Sequence, residues 1–115
     1  MSDVPPTTFR GVRSFVPWKG GTILKWAFPT LVVGEEALTI ESGSNKWEVQ
    51  KAEIQGIVAD HKALLIKKVD GTAGRFKTSK RTLETILVCL QERGVSFTRS
   101  ETSTYWMVSG SQRQT

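Results

Sequence analysis

From Thr22 to Thr78 the chain alternates apolar and polar positions in short runs, each stopped by turn residues. The run "TILKWAFPTLVV" is rich in β-branched and aromatic residues and predicts a strand. Pro29 lies inside it and has no N–H to give to a ladder, so this strand is expected to sit on an edge or to bend there. "GEE" predicts a turn, "ALTIES" a strand and "GSN" another turn. "KWEVQ" alternates again, with Trp47 and Val49 on one side. "EIQGIVAD" and "ALLIKKV" read as two further strands, and Asp70-Gly71 is the strongest short hairpin signal in the chain. "TAGRFKT" returns from that turn. Upstream, "FRGVRSFV" reads as a first strand anchored by Phe9 and Phe15 and weakened by Gly11. Strands recurring about every ten residues predict a small sandwich or barrel.

One segment has a different period. Leu83, Ile86, Leu87 and Leu90 fall at i, i+3, i+4 and i+7, which is one face of a helix. Gly94 suits the left-handed position after its end, and Arg93 suits its last turn. Ser79 or Thr82 can cap its start. If Thr82 is the cap, Lys80 and Arg81 lie outside the helix and Glu84 falls in the first turn. If Ser79 is the cap, both cations oppose the helix dipole, by about 0.3–1 kcal/mol each at low salt. A bound anion would reverse that sign.

At 115 residues the chain has room for one modest core. Residues 1–8, "MSDVPPTT", read as a flexible leader, residues 9–98 as a single domain and residues 99–115 as a polar tail. Within that tail "TYWMV" is an aromatic patch that could pack back on the domain. No apolar run approaches a membrane span, and the first residues lack the apolar stretch of a secretory signal, so a cytoplasmic location is expected. Cys89 is the only cysteine, which excludes an intramolecular disulfide and a thiolate zinc cluster.

Charge changes the picture more. The chain carries 16 Lys+Arg against 11 Asp+Glu, a net +5. Between Lys62 and Arg81 stand seven cations (Lys62, Lys67, Lys68, Arg75, Lys77, Lys80 and Arg81) and one acid, Asp70, so this window alone carries +6. A local field of this kind favours an acidic protein surface, nucleic acid or an anionic lipid. A solvated face that only maintains solubility is the plainer reading. Lys67, Lys68, Arg75, Lys77, Lys80 and Arg81 are the candidate binding residues.

A two-residue turn at Asp70-Gly71 would pair Lys67 with Gly74, Ile66 with Arg75 and Leu65 with Phe76. Leu65, Val69 and Phe76 would then point inward. Lys68, Arg75 and Lys77 would share the outer face with Leu64 and Ile66. Such a mixed face would suit a partner surface, a dimer contact or a membrane interface, unless the tail with Tyr105, Trp106 and Met107 covers it. Of the four tryptophans, Trp47 reads as core and Trp18 as more exposed. His61, in a turn, has no evident partner for acid–base work, and Cys89 falls between apolar helix positions. No phosphate loop, metal-ligand cluster or nucleophile motif stands in the sequence, so no cofactor and no catalytic activity are expected.

The order of these elements resembles the pleckstrin-homology-like (PH-like) fold, in particular its small bacterial members. The residues carrying the resemblance are "FPTLVVGEEALTIES", "AEIQGIVADHKALLIKKVDG" and "RFKT" followed by the capped helix, within a span from Thr22 to Phe97. The resemblance implies a mainly β barrel or sandwich of six or seven antiparallel strands, with one C-terminal helix closing an open end. Leu83, Ile86, Leu87 and Leu90 would be the plug. It further implies a binding module for phosphoinositides, peptides or proteins. Members that bind phosphoinositides typically place Lys and Arg in the loop between the first two strands. The nearest match here, "VVGEEAL", is acidic at Glu35 and Glu36, which speaks against that ligand. The resulting expectation is a non-catalytic module that contacts an acidic partner, foremost a protein, through its basic face. Nucleic-acid binding by the same cations is the alternative.

Overall fold

The computed structural model describes residues 5–18 and 21–100. Two runs of chain build the frame because each serves both sheets. The first is β1 (Thr7–Arg10) and β2 (Arg13–Pro17), and the second is β3 (Ile23–Ala27) and β4 (Thr30–Val33). They break at the two weak points of the sequence, Gly11–Val12 and Phe28–Pro29. The breaks face one another: Gly11 N–H donates to Pro29 O at 2.8 Å, and Phe28 N–H donates to Val12 O at 3.0 Å. A Cβ at Gly11 would lie 2.6 Å from the Phe76 ring, so only glycine lets the backbone pass there. Phe28 takes φ 51°, a strained value for a bulky residue that this double clamp maintains.

The remaining strands are β5 (Ala37–Ser42), β6 (Asn45–Gln50), β7 (Ile54–Ala59), β8 (Ala63–Lys68), β9 (Ala73–Lys77) and β10 (Thr98–Arg99), with a 3-10 turn at Lys51–Glu53 between β6 and β7. One sheet has the order β1-β4-β5-β6 and the other β10-β7-β8-β9-β2-β3. All pairings are antiparallel except β10 with β7. The mainly β architecture closed by one C-terminal helix is therefore as expected. The strand count differs because both long runs are bent into two, and because β10 is too short to leave a periodic signal. Strand pairing also begins at Thr7, inside the stretch read as a leader. Tyr105, Trp106 and Met107 lie outside the described residues.

The helix α1 (Lys80–Glu92) buries Leu83, Ile86, Leu87 and Leu90, all at or below 1% exposure. Its cap is Ser79, whose Oγ accepts from Thr82 N–H at 3.1 Å. This places Lys80 and Arg81 inside the first turn, which holds no acid. At the other end Gly94, with φ 78°, donates to Gln91 O, and Val95 N–H donates to Leu90 O. That pair of bonds closes the last turn, and Val95 packs on the core. Arg93 ties this end to the first strand, donating to Pro5 O at 2.8 Å. Cys89 is half-buried against the core.

The two sheets meet through Leu31, Ile40, Val49, Leu64, Ile66 and Phe76, each at 0% exposure. Trp47 of β6 reaches across to β9, and its ring lies directly over Gly74: a Cβ there would stand 2.4 Å from it. Both Gly11 and Gly74 thus act as bare backbone against which an aromatic ring packs.

Two outcomes follow for stability. Leu87→Ala should cost about 2–5 kcal/mol and lower the melting temperature by about 10 °C or more; an unchanged melting curve would refute the plug. Gly74→Ala should cost about 1–3 kcal/mol through overpacking against Trp47. Gly56→Ala, whose Cβ meets nothing within 4 Å, should be close to neutral in the same denaturation experiment.

Candidate basic interface

The β8–β9 hairpin sets which cations share a face. Its loop has three residues, not two. Lys68 N–H donates to Thr72 O at 2.8 Å, and Gly71, at φ 93°, donates to Lys68 O at 3.0 Å. Asp70 Oδ1 accepts from both the N–H and the hydroxyl of Thr72, at 2.9 and 2.6 Å. These bonds, first that of the hydroxyl, hold the Asp70 carboxyl below its ordinary pKa. The extra loop residue shifts the register by one: Leu64 pairs with Phe76, Leu65 with Arg75, Ile66 with Gly74 and Lys67 with Ala73.

A slip of one residue turns one strand over relative to its partner, here β8 relative to β9. Leu64 and Ile66 therefore lie in the core, at 0% exposure, and not on the outer face where a two-residue turn would put them. Val69 is 63% exposed instead of pointing inward. Lys68 leaves the outer face as well and pairs with Asp70 at 3.8 Å.

The outer face of the six-stranded sheet is built from alternate positions across five strands. One row runs Val58–Leu65–Arg75–Phe15–Lys25. A second runs Ala63–Lys77–Arg13–Ala27, and a third Gly56–Lys67–Ala73. Leu65 and Val58 are buried on this side, while Arg75, Phe15 and Lys67 are half-buried. Arg75 Nε is enclosed without a hydrogen-bond partner. Lys77, Arg13 and Lys25 are exposed. Among the described residues the strand positions of this face hold five cations and no acid.

The face continues to the helix start through Thr78, which is 3% exposed. Its N–H donates to Lys62 O at 2.7 Å and its hydroxyl to Arg10 O at 2.9 Å. The backbones of Arg10 and Lys62 are thus pinned to one buried threonine, which in the chain stands between Lys77 and the Lys80–Arg81 pair. The helix entrance itself is mixed in charge. Lys80 lines an open cleft with Asp60, His61, Glu84 and Arg99. Glu84 and Arg99 form a bidentate pair at 2.7 and 2.9 Å. Asp60 accepts from Lys62 N–H and Ala63 N–H and shapes the turn that carries the exposed His61.

Of the six candidate residues, Lys67, Arg75 and Lys77 share the sheet face, Lys80 and Arg81 adjoin it at the corner, and Lys68 stands apart. Sequence reasoning missed Arg13, Lys25 and Arg10, because a charge count along the chain cannot see the β2–β9 pairing. The alternation of Arg13 with Phe15 was the available signal. The acidic Glu35–Glu36 turn joins β4 to β5, so it is not the first hairpin loop. The first antiparallel hairpin is β2–β3. No protein-family model matches the chain and no curated protein is similar enough to match it.

The Glu84–Arg99 pair has a measurable signature. The hydrogen bond from Arg99, then its charge and that of Lys80, hold the Glu84 carboxyl below its ordinary value, and Arg99 is raised in turn. A depressed folded pKa gives stability that is present above the unfolded value, about 4.3, and is lost as pH falls through the folded one. Carboxyl NMR should find Glu84 titrating lower in the native protein than in Arg99→Ala. Equal midpoints would refute the pair.

Proposed function

We propose that the chain is a non-catalytic binding module of the PH-like type, and that the outer face of its six-stranded sheet contacts an acidic protein surface. The observation that carries this reading is the five cations and no acid on the strand positions of one sheet face. The +5 of that face equals the net charge of the whole chain. Leu65 and Val58 are buried, so Phe15, half-buried beside Arg75 and Lys25, is the large apolar side chain that the cations leave accessible. Protein–protein interfaces combine such apolar surface with charges around it. Phe15 is the only aromatic side chain on that face among the described residues, and it is half-buried. Single-stranded nucleic acid needs several rings to stack on, so a protein partner fits better. Support for the PH-like reading comes from two bent runs shared between two sheets and a C-terminal helix that plugs the space between them.

The test is charge reversal on either side of Thr78. Lys67→Glu with Lys77→Glu alters the sheet face, and Lys80→Glu with Arg81→Glu alters the helix start. The second pair should still fold, because the gain of acids in a first turn, about 0.3–1 kcal/mol each from the dipole, offsets the new like-charge contact of residue 80 with Glu84. Tagged protein should capture a protein from native extract at 0.05 M salt, insensitive to nuclease, with retention falling at 0.5 M as exposed charges are screened over about 10 Å or less. Each folded double variant should retain that protein about tenfold less well. Undiminished capture by both variants would reduce the face to solvated surface, and loss of capture on nuclease treatment would favour nucleic acid.

A further inference from the structure

The six-stranded sheet ends at β3, and among the described residues no strand pairs with its far side. The bonds that close the β2–β3 hairpin identify the groups left over. Trp18 N–H donates to Thr22 O at 2.7 Å at one end, and Phe28 N–H donates to Val12 O at 3.0 Å at the other. Antiparallel pairs alternate between bonded and non-bonded types, so Ser14 bonds with Trp26 and Val16 with Leu24. Ile23, Lys25 and Ala27 therefore turn their N–H and C=O groups outward.

The other edges are occupied or guarded. β1 is tied to the helix end by Arg93, which bonds Pro5 O and Thr7 Oγ1. β6 presents exposed Lys46, Glu48 and Gln50, the kind of edge that resists pairing. β10 is two residues long. β3 has one charge, Lys25, and large exposed apolar side chains flank it: Trp18 (40%) and Ile23 (68%) at one end, Val12 (48%) and Phe28 (70%) at the other. Among the described residues the only other large apolar side chains so exposed are Val69 and Val88.

We propose that β3 is a docking edge that takes an extended acidic segment of a partner protein as an added strand. Main-chain bonds to Ile23, Lys25 and Ala27 would supply the register, and alternate side chains the specificity. On the outer side the added strand lies beside Lys25, in the row that holds Phe15 and Arg75, so acidic residues belong there. On the inner side it lies beside Leu24 and Trp26, so apolar residues belong there. The partner segment thus alternates acidic and apolar positions. A second copy of this chain fits worse, because an antiparallel pair centred on Lys25 sets that charge against itself. The acidic character of the segment rests on the reading of the basic face; the docking edge rests on the backbone alone.

The probe is a peptide of four Glu-Val repeats, and the readout is amide hydrogen exchange by NMR. With peptide at ten times its Kd, exchange at Ile23, Lys25 and Ala27 should slow about 11-fold. Leu24 and Trp26, already bonded to β2, should not change. Ile23→Pro removes one outward N–H at the first position of the strand, breaks no internal bond, and should weaken the peptide about fivefold. If that variant does not fold, the exchange pattern of the native chain decides. Absence of peptide binding, or binding without protection of the three amides, overturns the docking edge. Protection that appears without peptide and grows with protein concentration overturns it in favour of a second copy. The two readings separate in Lys67→Glu with Lys77→Glu: protection with unchanged affinity would keep the edge and remove the basic face, and lost affinity for a peptide that never protected β3 would do the reverse.

Discussion

The fold depends on the corner where Gly11–Val12 and Phe28–Pro29 clasp one another. Two strand runs turn from one sheet into the other there, held by two backbone bonds and by the Phe76 ring against Gly11. Without that turn β2 would not reach β9, and the larger sheet would end at β9 instead of continuing to β3. The basic face depends on the same turn, since Arg13, Phe15 and Lys25 join Lys77 and Arg75 only through β2. The strained φ of Phe28 is a local cost, of order 1–3 kcal/mol, set against the closure of the whole sandwich.

Much of this was legible in the sequence, and the reasons are local. Turn residues bounded β5 to β9, the i, i+3, i+4, i+7 leucines and isoleucine marked α1, and Pro29 marked a bend. What was not legible depended on groups far apart in the chain or on one residue of loop length. Asp70-Gly71 does make the turn, but Asp70 also grips Thr72, and Val69 joins the loop. That single residue carries Leu64 and Ile66 into the core and leaves Leu65 with Arg75 outside. The expected outer face keeps Arg75 and Lys77, while Leu65 and Val58 stand on it in place of Leu64 and Ile66. Of the candidate site, the cations between Lys67 and Arg81 were visible as a run, whereas Arg10, Arg13 and Lys25 were not, because strand order and not sequence distance places them there.

The helix start shows how one conflict of local rules is resolved. Ser79 is the better cap because its oxygen reaches Thr82 N–H while Thr78, one residue earlier, is pinned to both Arg10 and Lys62. Moving the cap to Thr82 would unwind a turn and draw Leu83 toward the end of the helix, exposing part of a side chain that is now fully buried. A dipole misfit of about 0.3–1 kcal/mol per cation is small beside the burial of one leucine, about 1.5–3 kcal/mol. Packing therefore decides the cap, and the cations follow. Glu84 eases the field around Lys80 and fixes Arg99, which extends β10 along β7.

The same accounting explains why charge and exposed apolar surface fall on one side of the molecule. The smaller sheet presents mixed charge at its β6 edge, and the helix fills the space between the sheets with its apolar stripe. The larger sheet, lengthened by the corner, gains a second face and a far edge that no described element covers. Its cations oppose self-association across that face, since like charges set opposite one another repel. They do not protect the β3 edge to the same degree, because only Lys25 lies on it and its backbone groups remain outward. A face that repels copies of itself beside an edge with outward backbone groups is the setting in which the proposed acidic strand would dock. Affinity would then come from main-chain bonds, and selectivity from the cations beside them.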